Sequence, residues 1–192
     1  DLKTIQSVED LQRLVLVQGL GWSDVEIFDT AELRTYTARS EKLLRLVNDM
    51  RVQLFPRGVA ELQAEDSTVQ SLYPQIILDP YLLIVYPFAG FFYVAPDNTE
   101  LADALQIGFE RAMADGSYQR LVDESIMTPW LSRKLQLKSR RVLVLKNPDA
   151  AEALAEVDPN HWIVPWNELM SGRITHGRDL CGFAGFKALC HD

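Results

Sequence analysis

Residues 14–24, with the sequence LVLVQGLGWSD, contain the clearest strand-to-helix transition in the chain. Residues 14–17 form a continuous apolar run, which predicts a buried strand. The turn Gly19-Leu20-Gly21 ends this run, and we expect a helix to begin within residues 22–28. This transition predicts the first half of a β-α-β unit.

The alternation of strand and helix signals continues as far as residue 55. Residues 34–37 and 52–55 predict two more strands, and Ser40 is the expected N-cap of the helix between them. The apolar face of that helix would consist of Leu43, Leu44, Leu46, Val47 and Met50. A β-α-β-α-β order predicts an α/β fold with mixed, mostly parallel sheets and flanking helices.

The pattern changes after residue 75. Three strand-like runs separated by prolines, at residues 76–78, 82–86 and 91–95, indicate a passage between two lobes. Asn98 is expected to cap a long amphipathic helix that Gly116 ends. Additional elements are predicted as helices at residues 118–122 and 130–137 and a strand at 141–145. From residue 171 no period is evident, so an irregular tail is expected.

Composition excludes several classes of function. The 192 residues carry a formal charge of −8, which argues against a nucleic-acid partner because phosphate binding needs clustered Lys and Arg. No apolar run approaches the roughly 20 residues that cross a bilayer. The first residues do not resemble a signal peptide, so we expect either a mature chain or one that was never exported. Because no common nucleotide or catalytic motif occurs, we expect no enzyme activity and no cofactor.

The two cysteines, Cys181 and Cys190, leave more than one interpretation open. They are candidates for a short-loop disulfide or for two free thiols. A metal site with His161, His176 and His191 is not expected, because the spacing of Cys, eight residues, Cys and His matches no usual structural zinc pattern.

The first candidate ligand contacts follow the first predicted strand. In open α/β sheets, ligands bind beyond the carboxyl ends of the strands, where backbone N–H groups of helix N-termini converge. The residues in that position are Gly21, Trp22, Ser23 and Asp24. The glycines allow close backbone approach, and the Ser23 hydroxyl is a donor for a carboxylate. The alternative is an ordinary turn in which Ser23 or Asp24 only caps the helix.

Arg57 and Gly58 follow the third predicted strand at the same edge of the sheet. A guanidinium group there can form a bidentate pair with an anionic ligand. The alternative is a solvated or structural ion pair, because most arginines are exposed.

Taken in order, these motifs resemble type 2 periplasmic solute-binding proteins, a family that includes amino-acid receptors of ABC transporters. The resemblance covers residues 8–166 and rests on the order and spacing of several stretches. In the second lobe these stretches are residues 9–19, 21–24 and 43–58. In the return to the first lobe they are residues 91–95, 98–101, 113–118, 140–145, Asn147-Pro148 and His161-Trp162.

The resemblance implies two lobes joined by a hinge. Residues 1–82 would form lobe two, residues 83–170 an incomplete return to lobe one, and residues 171–192 the tail. Tyr86, Pro87 and Phe88 would form the hinge. A small polar solute, such as an amino acid or a related anionic compound, would be trapped by hinge closure in the periplasm. A membrane permease or a sensor would be the protein partner.

The sequence departs from the family in two ways. No Asp stands near Arg57-Gly58, where amino-acid receptors hold the ligand amino group, and this argues against a plain amino-acid ligand. We also expect the first half of lobe one to be absent, and this second departure supports a second hypothesis. The chain is then a sensory or interaction module, or a relative that no longer binds solute. Uncovered edges at residues 91–94 and 142–145 would favour self-association.

Overall fold

The computed structural model describes residues 1–88, 90–150, 155–157 and 161–190. The strands are β1 (Val15–Gly19), β2 (Arg34–Ala38), β3 (Leu82–Val85) and β4 (Arg141–Val144). The first five α-helices are α1 (Val8–Leu11), α2 (Asp24–Thr30), α3 (Leu43–Asn48), α4 (Leu62–Leu72) and α5 (Thr99–Ala114). They are followed by α6 (Ser117–Ser125), α7 (Pro129–Leu135), α8 (Trp166–Met170) and α9 (Gly177–Leu180). Short 3₁₀ helices occur at Leu2–Thr4, Ser40–Lys42, Leu137–Ser139 and Ala184–Cys190.

Strands β1 and β2 pair in parallel, and α2 crosses between them. The third strand that we predict at residues 52–55 is reduced to one parallel bridge between Leu16 and Leu54. The Gln53 side chain explains the shortening, because its Oε1 accepts the Val15 N–H at 2.7 Å. A side chain thus takes a donor that a longer ladder would pair with a backbone carbonyl.

Strands β3 and β4 form a second parallel pair, so the structure is mixed α/β with small parallel sheets and flanking helices, and the predicted α/β class is confirmed. The strands predicted at residues 76–78 and 91–95 are wrong, since neither run pairs with another described strand. The side chains of Ile77, Phe92 and Tyr93 are 78%, 79% and 89% exposed. Apolar composition alone does not make a strand where no neighbouring strand is available to accept its hydrogen bonds.

The two strand pairs share one apolar core. Leu82 of β3 and Leu143 of β4, followed by Leu145, pack in one buried cluster with Leu16 of β1 and Phe28 of α2. A second buried cluster, which includes Val142, contains residues from α7, α8 and the C-terminal segment. The β3–β4 pair therefore contributes side chains to a cluster on each side.

Two predicted helix starts have different outcomes. The Asn98 side chain accepts a hydrogen bond from the Leu101 N–H at 3.3 Å and caps α5, as we predict. Ser40 is not the N-cap of α3, because it begins a 3₁₀ turn and α3 starts at Leu43. None of the helices in the described ranges is long and apolar enough to cross a bilayer.

The tail that we predict to be irregular has regular structure in its described part. Helix α9 is held by Asp179, whose side chain accepts from the backbone N–H groups of Thr175 and His176. Cys181 and Cys190 form a disulfide with a Cα–Cα distance of 5.8 Å. Elements this short leave no periodic signal, which explains the wrong prediction.

The described residues contain no cluster suited to a metal ion, and His191 lies outside them.

Gly177 provides a test of this C-terminal packing. A Cβ at Gly177 would lie 1.9 Å from the carbonyl oxygen of Leu137, so backbone atoms would have to move. We expect Gly177→Ala to lower the free energy of unfolding by about 2–3 kcal/mol, as overpacked sites do. Urea unfolding without reductant measures this change.

Gly182→Ala is the matched control, because its Cβ would meet its nearest neighbour, the Asp179 carbonyl oxygen, at 3.7 Å. This control should change stability by less than about 0.5 kcal/mol. Equal unfolding midpoints for the two variants would contradict the close approach of α9 to Leu137.

Candidate functional site

A hollow of about 1780 Å³ extends from the loops after β1 and Leu54 past the segment after β3 to α4, α5, α7 and the residues at 161–169. Six of the predicted ligand or hinge residues line it, namely Trp22, Asp24, Arg57, Gly58, Tyr86 and Phe88. Gly21, Ser23 and Pro87 lie outside its wall. The structure thus brings together residues that are far apart in the sequence. Trp22 and Tyr86, for example, are 64 positions apart.

Arg57 is held by two aromatic rings and two carboxylates of its own chain. Its guanidinium carbon lies 5.1 Å from the ring centres of both Trp22 and Phe55. Nη2 lies 2.5 Å from a carboxylate oxygen of Glu61 and 2.5 Å from one of Glu65, while Nε donates to the second Glu65 oxygen at 3.0 Å. With 15% of its side chain exposed, Arg57 forms the structural ion pair that was the alternative to ligand binding.

The same two carboxylates, Glu61 and Glu65, also favour the protonated, charged form of Arg57. Burial by itself lowers the pKa of Arg57, but the hydrogen bonds and negative charges of Glu65 and Glu61 outweigh burial and raise it. Glu61 also accepts the backbone N–H of Gly58 at 2.9 Å, which fixes the loop before α4. An anionic ligand could bind Nε and Nη2 of Arg57 only by replacing these carboxylates.

The first glycine of the turn after β1 makes room for the Trp22 side chain. A Cβ at Gly19 would lie only 2.2 Å from the Trp22 indole, so the missing side chain makes room for that ring. Gly21 has a φ of +80°, a left-handed conformation that glycine adopts without strain. Ser23 is the N-cap residue of α2, but its side chain makes no capping hydrogen bond. These glycines therefore shape the turn and seat the indole.

Tyr86 connects the segment after β3 to the start of α2. Its hydroxyl donates a hydrogen bond to Oδ1 of Asp24. The Tyr86 ring packs edge-on against Phe28 and Phe88, with centres 5.9 and 6.4 Å away. Burial, followed by the Asp24 hydrogen bond and the negative charges of Asp24 and Glu61, raises the pKa of Tyr86. The phenol therefore remains a hydrogen-bond donor at neutral pH.

Gln18 is a residue of the site that the sequence analysis missed. It is 2% exposed and lines the hollow, and its Nε2 donates to the Pro56 carbonyl at 3.2 Å. Its Oε1 is buried without a hydrogen-bond partner. The available signal was an amide side chain at the end of the otherwise apolar run at residues 14–17.

Glu61 and Glu65 were also missed, although they follow Arg57 at intervals of four and eight residues. We call Gln18, Trp22, Asp24, Arg57, Glu61, Glu65 and Tyr86 the rim cluster. Its three carboxylates and one guanidinium give a formal charge of −2. The cluster is thus acidic, and its one cation is already paired.

The fold and this cluster define a mixed α/β protein with a polar, acidic rim beside a large hollow. Comparisons with models of known protein families, with curated proteins and with solved structures found no match to this chain. The chemistry of the rim cluster therefore carries the information about function.

The raised pKa of Tyr86 predicts that the stability of the fold decreases at alkaline pH. Because folding raises its pKa above the ordinary value of 10.0, the folded chain keeps a proton that the unfolded chain releases above pH 10. This contribution is complete below pH 10 and is lost as the pH rises further. We expect the free energy of unfolding to fall by up to about 1.4 kcal/mol per pH unit from this group. Urea unfolding between pH 9 and 11.5 measures the slope.

Tyr86→Phe should make that slope shallower, whereas Tyr36→Phe, which removes an exposed phenol, should leave it unchanged. Identical slopes for wild type and Tyr86→Phe would show that the Asp24 hydrogen bond does not protect the phenol.

Proposed function

We propose that this chain is an extracytoplasmic solute-binding protein of the ABC-transporter type, with the type 2 fold and without covalent chemistry of its own. It would bind a small polar solute in the hollow and change shape around it. The proposal joins the motif order in the sequence, which resembles that family, to the chemistry of the rim cluster. A permease or a sensor would then recognise the closed form.

The main support is the convergence of distant residues on one hollow. Trp22 and Asp24 come from the turn after β1, Arg57 from the loop after the Leu54 bridge, and Tyr86 from the segment after β3. Ligand sites combine an apolar wall with a few polar groups that fix orientation. The rim cluster supplies such polar groups, and the rest of the wall is largely apolar.

Closure would use the segment of Tyr86, Pro87 and Phe88 as its hinge between lobes at residues 1–82 and 83–170. Pro87 is fully buried and its carbonyl accepts from the Asn147 side chain at 2.9 Å, which gives the hinge a fixed anchor. Because the lobes share the core around Leu82 and Phe28, the movement would be a rotation that keeps this contact.

An amino acid or a related anionic compound is the solute class that the resemblance implies. The carboxylates beside Arg57 favour a solute whose amino group, and not its anionic group, meets the rim first. The disulfide between Cys181 and Cys190 supports a periplasmic location, since disulfides persist mainly in oxidising compartments.

Calorimetric titration of the folded chain with amino acids, organic acids and polyamines tests this proposal. We expect at least one solute to bind, and small-angle scattering should show a smaller radius of gyration in its presence. Arg57→Met should change the affinity about tenfold or more, because Arg57 carries charge and holds Trp22 and Glu65 in place. Arg45→Met, at an exposed residue of α3, is the control and should have little effect.

A specific observation favours a second function, that of an interaction module that binds no solute. Phe91, Phe92 and Tyr93 are 52%, 79% and 89% exposed in consecutive positions. Exposed apolar patches commonly mark association surfaces. If no solute binds to the folded chain while light scattering shows oligomers, this second function replaces the first. A monomer that binds solute supports the first.

A further inference from the structure

We propose that the rim cluster selects an organic cation that carries N–H donors, an ammonium or guanidinium group, which binds between the Asp24 carboxylate and the unpaired Gln18 Oε1. This inference rests on the proposed solute-binding function and specifies the chemical class of the solute.

The first step is the charge of the rim. Glu61 and Glu65 together neutralise Arg57 and leave one negative charge over, and Asp24 adds a second. The phenol of Tyr86 occupies one oxygen of the Asp24 carboxylate and orients the group. An ionised carboxylate has about four acceptor positions, so Asp24 keeps capacity for further donors.

The second step is the amide of Gln18, an observation independent of the charges. Its Oε1 is buried without a donor, and buried acceptors in folded proteins are nearly always paired. Reversing the amide would place this oxygen against the Pro56 carbonyl, which also only accepts, so the observed orientation is fixed. An N–H donor arriving in the hollow would satisfy it.

The third step is that the same features disfavour an anion. The donors Nε and Nη2 of Arg57 already bind carboxylates. The first turn of α2 carries Asp24 and Glu26, so the positive end of that helix already has negative partners. An anion would meet like charge at the rim, whereas a cation would meet opposite charge.

Arg57 itself is an example of an organic cation bound in the wall of the hollow. A guanidinium group lies there beside the rings of Trp22 and Phe55 and against two carboxylates. The chain thus stabilises one organic cation in this wall, and the remaining carboxylate and amide oxygens have the acceptor character to bind another.

Calorimetric titration of the full chain at low salt with four probes tests the inference. Methylguanidinium and putrescine should bind, succinate should not, and tetramethylammonium, which has charge but no N–H donor, should bind at least tenfold more weakly than methylguanidinium. Asp24→Asn should weaken methylguanidinium binding about tenfold to a hundredfold, as expected for loss of a charge-assisted hydrogen bond.

Asp29→Asn is the matched control, because it removes an exposed carboxylate from the same helix α2 without touching the hollow. It should leave the affinity within about twofold. Gln18→Met removes the unpaired oxygen at similar volume and should also weaken methylguanidinium binding about tenfold. Gln18→Met decides the question if Asp24→Asn does not fold.

The outcomes separate this inference from the proposed function. If succinate or an uncharged solute binds and neither cation does, the inference is overturned and the proposed function stands. If no probe and no other solute binds to the folded chain, both fail. Equal effects of Asp24→Asn and Asp29→Asn, or equal binding of tetramethylammonium, would show unspecific attraction to an acidic surface and would also overturn the inference.

Discussion

The packing of the β3–β4 pair against β1 and α2 is the constraint on which the site depends. Leu82, Leu143 and Leu145 meet Leu16 and Phe28 in one buried cluster. This contact brings the end of β3 beside the start of α2, and so the Tyr86 hydroxyl reaches Asp24. Without it, the residues after β1 and those after β3 would belong to separate surfaces. The apolar core thus determines the relative position of β3 and α2, and this position allows the polar side chains of the rim cluster to meet.

Arg57 is the second organising element, because it contacts two aromatic rings and two carboxylates at once. It fastens Trp22 and Phe55 to the carboxylates that precede and begin α4, so the loop after the Leu54 bridge has a defined position. A guanidinium with 15% exposure is shielded from solvent, which strengthens its ion pairs relative to a surface pair. Because this cation is bound internally, the charge that the rim presents to a solute is set by the carboxylates around it.

The sequence allowed the parallel α/β character and much of the rim to be predicted. The run at residues 14–17 with its glycine turn placed Trp22 and Asp24, and Asn98 marked the start of α5. The failures have physical causes. Gln53 uses its side chain to end a strand pairing, residues 91–95 lack a partner strand among those described, and α9 is held by Asp179 and a disulfide. Each depends on a tertiary contact that local periodicity does not encode.

The shared core also limits how the proposed solute binding can work. Full burial of a large apolar side chain stabilises by about 1.5–3 kcal/mol, so separating the five side chains of the central contact would cost roughly 8–15 kcal/mol. A solute with micromolar affinity supplies about 8 kcal/mol at the standard concentration. That cost equals or exceeds the whole binding free energy, so we do not expect the two strand pairs to separate completely at each binding event. The proposed closure would therefore have to keep Leu16, Phe28 and Leu82 in contact and use smaller rotations about the Tyr86 segment. Because Tyr86 belongs to the proposed hinge, its hydrogen bond to Asp24 would lie close to the axis of such a movement, where a rotation displaces atoms least.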